Sequence, residues 1–291
     1  MAHAEQSVRS YDTCERLKQH RSHQNHWRTL THGMDMSTRI AGILNLTPDS
    51  FYPESRHIAE DDIRITAQRM QQEGADMLDI GACSTKPGSV PVSAGEEISR
   101  FESGIPQIAD MCPSLALSID TFRPEVAAFC AGKWRIAYIN DISGGSEEMF
   151  HTVADSGSGY ILTYNRPVVG NVVEEMMQFF TQKIPQLRKA GVRDIILDPG
   201  FGFAKNLSQN YEILANLRRT SHFGLPVMAG ISRKSMAYIP TGSTPEQSLD
   251  STIALNALAI ANGAEWLRVH DVKEAVHTAV VADKLNMIKG N

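Results

Sequence analysis

The chain has 291 residues, 42% of them hydrophobic and 21% charged, with a net charge of −5. Both charge signs are spread along it, so nothing argues for nucleic acid or an anionic membrane surface as a partner, and any anion site must be local. No apolar run approaches the ~20 residues that span a bilayer, and the four cysteines, at 14, 83, 112 and 130, form no CxxC pair; both features point to a cytoplasmic protein with reduced thiols and no disulfide framework.

Residues 1–38 are rich in His, Gln, Arg and Ser and lack a sustained apolar period. They read as an irregular N-terminal extension, flexible or accessory, without a secretion signal. His20, His23 and His26 lie three apart, but a metal site needs a fixed scaffold and second shell, and a solvated tail fits the composition better. Met34 and Met36 are candidate alternative start positions.

From Arg39 the texture changes, and one domain is expected over 39–291. Short apolar, β-branched-rich runs predict buried parallel strands at 39–45, 76–80, 116–120, 136–140, 160–164, 194–198, 226–231 and 266–270. Between them, amphipathic stretches predict helices over 60–73, 95–111, 123–131, 146–156, 171–190, 207–221, 246–262 and 273–288. Gly74, Gly191 and Gly263 follow helices where a left-handed residue ends the last turn. Eight strands each followed by a helix is the count that closes an α/β, single-domain (β/α)8 TIM barrel. An open doubly wound sheet uses the same alternation and is the alternative.

In a barrel the chemistry collects at the C-terminal strand ends. There the chain offers Asn45, Lys86, Asp120, Asn140, Asp198, Lys234, Arg268 and His270. Singly, each is as well explained as a cap, a turn residue or a solvated charge. Together they would converge on one mouth. Asn45, Lys86, Arg268 and His270 come from neighbouring strands one, two and eight, and suit a phosphate or pyrophosphate. Asp120, Asn140, Asp198 and Lys234 suit the edges of a flat heterocycle with N–H donors and ring acceptors.

Six ordered motifs then carry a resemblance: ILNLTPDSF at 43–51, DIGACSTKPG at 79–88, NDISGG at 140–145, LDPGFGF at 197–203, SRKS at 232–235 and RVHD at 268–271. Over residues 40 to about 286 the chain resembles the dihydropteroate synthases. The resemblance implies condensation of 6-hydroxymethyl-7,8-dihydropterin pyrophosphate with 4-aminobenzoate in folate biosynthesis. It implies a pterin grip by Asp120, Asn140, Asp198 and Lys234. It implies pyrophosphate binding by Asn45, Lys86, Arg268 and His270, with Asn45 also on Mg²⁺. Phe51, Thr85, Pro87 and Ser235 would surround the aminobenzoate. Asp120, Lys234, Arg268 and His270 would carry the catalysis, and the protein would be a homodimer. The apolar stripes Ile253, Leu255, Leu258, Ala259 and Val276, Val280, Val281, Leu285 are expected mostly to face the strands, the remainder forming that seam.

Three departures stand out. Lys86 replaces the family's common arginine, keeping charge but losing bidentate geometry. Leu162-Thr163-Tyr164-Asn165-Arg166 stands where a Met-His pair is usual. Tyr52-Pro53 stands where a Gly-Gly pair is common, a change expected to alter how sulfonamides fit. Two rival readings remain: a pterin-binding methyltransferase, which has no need of Lys86, Arg268 and His270, and a non-catalytic pterin-binding protein.

Overall fold

A computed structural model describes residues 37–46, 56–83 and 92–289. The extension up to residue 36, and Phe51, Thr85, Lys86 and Pro87, lie outside the described residues. Eight parallel strands form one sheet: β1 (Arg39–Asn45), β2 (Met77–Gly81), β3 (Ala116–Asp120), β4 (Tyr138–Asp141), β5 (Gly159–Thr163), β6 (Ile195–Asp198), β7 (Met228–Ala229) and β8 (Trp266–Val269). They pair in the order 6-5-4-3-2-1-8-7. A bridge between Leu197 and Val227, with the Leu197 N–H donating to the Pro226 carbonyl at 2.9 Å, joins β6 to β7. The two ends of the sheet therefore meet, which rules out the open doubly wound alternative.

Between the strands lie α1 (Arg56–Glu73), α2 (Ala94–Met111), α3 (Pro124–Lys133), α4 (Glu147–Ser156), α5 (Val172–Ala190), α6 (Leu207–Ala215), the four-residue α7 (Ser235–Tyr238), α8 (Leu249–Ala261) and α9 (Val272–Lys289). Local chemistry sets their starts. Ser93, Ser146 and Asn171 accept N-terminal amides of α2, α4 and α5, and Asn206 with Gln209 forms a reciprocal capping box on α6. Gly74, Gly191 and Gly263 are left-handed, with φ of 100°, 105° and 98°, as their places after helices require.

Some predicted bounds shift. The helix expected over 207–221 stops at Ala215, and a 3-10 stretch, Leu217–Phe223, follows. Asn216 sits between them and donates its amide to the Glu212 carbonyl. The strand expected over 226–231 keeps its ladder only at Met228–Ala229, because the chain turns away toward the Ser232-Arg233-Lys234 corner, where Arg233 adopts φ 57°.

Apolar residues fill two spaces. The larger lies between strands and helices. The smaller lies inside the barrel, where Ala41, Met77, Tyr138, Ile161, Ile196, Met228 and Trp266 pack together, with Tyr138 and Trp266 edge-to-face at 6.4 Å. Asp283 of α9 accepts from the Ser37 and Thr38 amides and the Thr38 hydroxyl at 2.8–2.9 Å, pinning the start of β1 to the last helix. The stripes on α8 and α9 face the strands less than expected: Leu255 and Ala259 are buried, but Leu258, Val281 and Leu285 are exposed.

Candidate active site

Side chains alternate along a strand, so the residue two places beyond each inner apolar residue also points into the barrel. Met77 is followed by Asp79, Tyr138 by Asn140, Ile196 by Asp198 and Trp266 by Arg268. These four come from β2, β4, β6 and β8, one layer of a barrel interior filled by alternate strands. The next layer toward the mouth holds Asn45, Asp120 and Thr163 from β1, β3 and β5, with Gly230 just past β7. The inner face thus turns from apolar to polar within one step along every strand but β7, and that step makes the floor of the mouth.

The floor is organised by Asp79, a residue given no role from sequence alone. It is 1% exposed. One carboxylate oxygen accepts from the Ser118 hydroxyl at 2.7 Å; the other accepts from Asn140 Nδ2 at 2.8 Å and from Arg268 Nε. Arg268 Nη2 reaches Asp120 Oδ2 at 2.7 Å. A buried guanidinium is thereby held between two carboxylates, the arrangement that compensates its desolvation. Burial pushes the Asp120 carboxyl up; Arg268 opposes this and Asp79 adds to it. Because its Nδ2 is used by Asp79, Asn140 turns Oδ1 the other way, and that buried oxygen has no partner among the described residues.

The opposite wall is built by the turns after β6 and β7. Asp198 Oδ1 accepts from the Gly200 amide at 2.7 Å. Lys234 donates Nζ to the Phe201 carbonyl and lies over the Phe203 ring at 4.6 Å. Burial lowers its ammonium to about 8, with Asp198 opposing. A Cβ on Gly202, where φ is 82°, would sit 2.8 Å from Lys234 Cδ, so this glycine leaves the path that lysine takes. Lys205, also overlooked in the sequence, ties the turn together by donating to the carbonyls of Tyr164, Gly200 and Phe203 at 2.8–3.0 Å; burial lowers it to about 7.

At the rim, His270 meets Ser232: the hydroxyl oxygen is 3.0 Å from Nδ1 and accepts the His270 amide at 3.2 Å. Arg233, beside Lys234 in sequence, points elsewhere and grips Asp271 with two bonds of 3.0 and 2.7 Å. Ser235 opens α7, which is one turn long, so any helix-end charge there is small. After β5, Tyr164 packs on Phe179 at 5.4 Å, Asn165 donates to the Ile142 carbonyl and Arg166 lies over Phe179. None of these three covers the mouth; Thr163 is the residue that strand sends inward. The loop carrying Thr85, Lys86 and Pro87 has described stems: Arg100 donates to the Ala82 carbonyl and Arg123 to that of Val92, both at 2.7 Å.

The structure therefore brings Asp120, Asn140, Asp198, Lys234, Arg268 and His270 to one mouth, with Asn45 on its rim. The class this defines is a barrel enzyme that holds a polar heterocycle, and the family model of the pterin binding enzymes matches residues 41–270. Dihydropteroate synthase of Escherichia coli strain K12 is 36% identical over 271 residues, spanning 89% of this chain and 95% of that one. Among solved structures, the Xanthomonas albilineans dihydropteroate synthase with 4-aminobenzoic acid is 35% identical with a TM-score of 0.78, covering 86% of this chain and 93% of the other. That of Anaplasma phagocytophilum with bound 6-hydroxymethylpterin-monophosphate is 30% identical with a TM-score of 0.79, covering 86% and 99%. The chain belongs to the dihydropteroate synthase family.

Proposed function

We propose that the protein joins 6-hydroxymethyl-7,8-dihydropterin pyrophosphate to 4-aminobenzoate, giving 7,8-dihydropteroate and pyrophosphate. The observation that carries this reading is the buried polar floor: Asp79 holds Arg268 and Asn140 in place while Asn140 Oδ1 is left for a ligand N–H. An unpaired buried acceptor is costly without such a ligand. The same floor weighs against a non-catalytic relic.

In this account the pterin ring lies on the floor between Asn140, Asp198 and Lys234, and Asp120 faces its exocyclic carbon. The bond from that carbon to the pyrophosphate oxygen breaks, its electron pair leaving with the pyrophosphate. Arg268, His270 and Lys86 stabilise the charge that develops on the departing oxygens. Positive charge spreads over the pterin, where Asp120 offsets it. The aniline nitrogen of aminobenzoate attacks with its lone pair and then loses a proton to solvent. No protein nucleophile takes part. Phe51, Thr85, Pro87 and Ser235 are assigned to the aminobenzoate.

Mg²⁺ fits as a companion of the pyrophosphate. No group of three His, Cys, Asp or Glu side chains suited to a metal occurs among the described residues, and Mg²⁺ is commonly held by few protein oxygens plus substrate phosphates. The rim oxygen of Asn45 would supply one ligand, and the ion would neutralise phosphate charge. The exposed Leu258, Val281 and Leu285, beside Met287 and Ile288, support a homodimer through α8 and α9. No described helix is long and apolar enough to cross a membrane, and Cys112 and Cys130 are buried thiols, consistent with a reducing cytoplasm.

Mass-spectrometric detection of dihydropteroate from the two substrates tests the reading, with Arg268→Ala as its control. Dihydropteroate formed with the folded protein and abolished in Arg268→Ala supports pyrophosphate departure; a methyl-transferring enzyme would form none from these substrates.

A further inference from the structure

Thr163 ends β5 and is 1% exposed, yet its hydroxyl has no hydrogen-bond partner among the described residues. Burying a hydroxyl in this way is costly unless something answers it. Its direction is fixed by the strand. Ile161, two places earlier, belongs to the inner apolar cluster, and Thr163 pairs in register with Asp198, whose Oδ2 lies 3.7 Å from where a Gly230 Cβ would stand. Thr163 therefore points into the mouth, one layer above Asn140.

Four buried side-chain atoms lack a partner among the described residues, and two of them, Thr163 Oγ1 and Asn140 Oδ1, belong to inward-facing residues of the adjacent strands β4 and β5. The neighbouring polar groups are engaged: Asn140 Nδ2 by Asp79, Asp198 Oδ1 by the Gly200 amide, and Lys234 by the Phe201 carbonyl. The carbonyl of Asn140 can only accept, whereas the Thr163 hydroxyl can both donate and accept. A planar heterocycle edged with alternating N–H donors and lone pairs answers both at once.

We propose that the Thr163 hydroxyl is a hydrogen-bonding contact to the pterin ring, helping to set which heterocycle the site accepts. This rests on the function proposed above. Valine matches threonine in shape, so Thr163→Val removes the hydroxyl while keeping the packing, and Thr163→Ser keeps the hydroxyl.

The test is calorimetric titration of the full chain and both variants with 6-hydroxymethylpterin, alongside melting temperature and the KM for aminobenzoate. The proposal expects Thr163→Val to bind the pterin about five- to tenfold more weakly, the worth of one ordinary hydrogen bond. It expects Thr163→Ser to bind within about twofold of the unaltered protein. Thr163→Val should melt at the same temperature or higher, since an unanswered polar group has gone, and the aminobenzoate KM should not move. Equal pterin affinity in Thr163→Val and the unaltered protein overturns the assignment of Thr163 and leaves the proposed function standing. Failure of the unaltered protein to bind the pterin overturns both.

Discussion

Ser232 Oγ lies 3.0 Å from His270 Nδ1 and accepts the backbone amide of the same histidine at 3.2 Å. When the hydroxyl donates to Nδ1, the proton of the neutral ring sits on Nε2. Burial pushes His270 down to about 4; Asp271 opposes this, and Arg233, Arg268 and Lys234 reinforce it. The imidazole is therefore neutral at pH 7, and in that tautomer it offers Nε2–H as a donor. Ser232→Ala should raise the KM for the pterin pyrophosphate about fivefold, a single hydrogen bond's worth, and leave binding of the unphosphorylated pterin unchanged. Calorimetry with the two ligands checks this; an equal loss for both would remove His270 from the pyrophosphate end. On the same account that KM should not depend on His270 ionisation between pH 6 and 8.

The Asp79–Arg268–Asp120 chain predicts strongly non-additive stability changes. Asp79→Ala leaves a buried guanidinium with one carboxylate, and Arg268→Ala leaves two carboxylates with none of their cation. Each change should cost about 3–5 kcal/mol in urea unfolding. The double variant should cost less than the sum, since the Asp79–Arg268 pair is then lost once and only Asp120 is left without its cation. Additive losses would show that the pair is not coupled. Turnover should fall by at least about a hundredfold in either single variant, because Arg268 is out of place in one and absent in the other.

Asp76, just before β2 at the N-terminal end of the strands, accepts the Ile40 amide at 2.7 Å and makes stability depend on pH. Burial raises its carboxyl to about 6 from 3.8, with the Ile40 hydrogen bond and Arg39 opposing. A folded-state value above the unfolded one means the native state holds the proton more tightly. This group's stabilisation is therefore full below about pH 4 and lost as pH rises through about 6. Asp76→Asn keeps a carbonyl acceptor for Ile40 and removes the charge. At pH 7 it should be more stable than the unaltered protein by up to about 3 kcal/mol, a gain that vanishes below pH 4. Urea midpoints at pH 4 and pH 7 decide it; a constant difference at both would point away from Asp76.

Much of this was legible in the chain. The spacing of apolar runs gave all eight strands to within about two residues, since buried parallel strands must be apolar on both faces. Most residues at strand ends reached the mouth because barrel geometry sends them there. What escaped notice was carried by side-chain alternation. Asp79 lies inside a strand and not at its end, so a search of strand ends passed over it, although counting by twos from Met77 would have found it. Thr163 was read only as part of an unusual stretch. Ser232 and Lys205 act through a long-range pair and through backbone carbonyls, contacts that no local pattern encodes. The ladder of β7 was overestimated because Gly230 and Ile231 are as apolar as a strand but lead into a corner.

The most direct test of the account is pyrophosphate release by the purified protein given the pterin pyrophosphate and Mg²⁺, measured with and without 4-aminobenzoate. The account predicts release that requires aminobenzoate, matches dihydropteroate formed one for one, and disappears in Arg268→Ala. Retained pterin binding without any aminobenzoate-dependent release would contradict it.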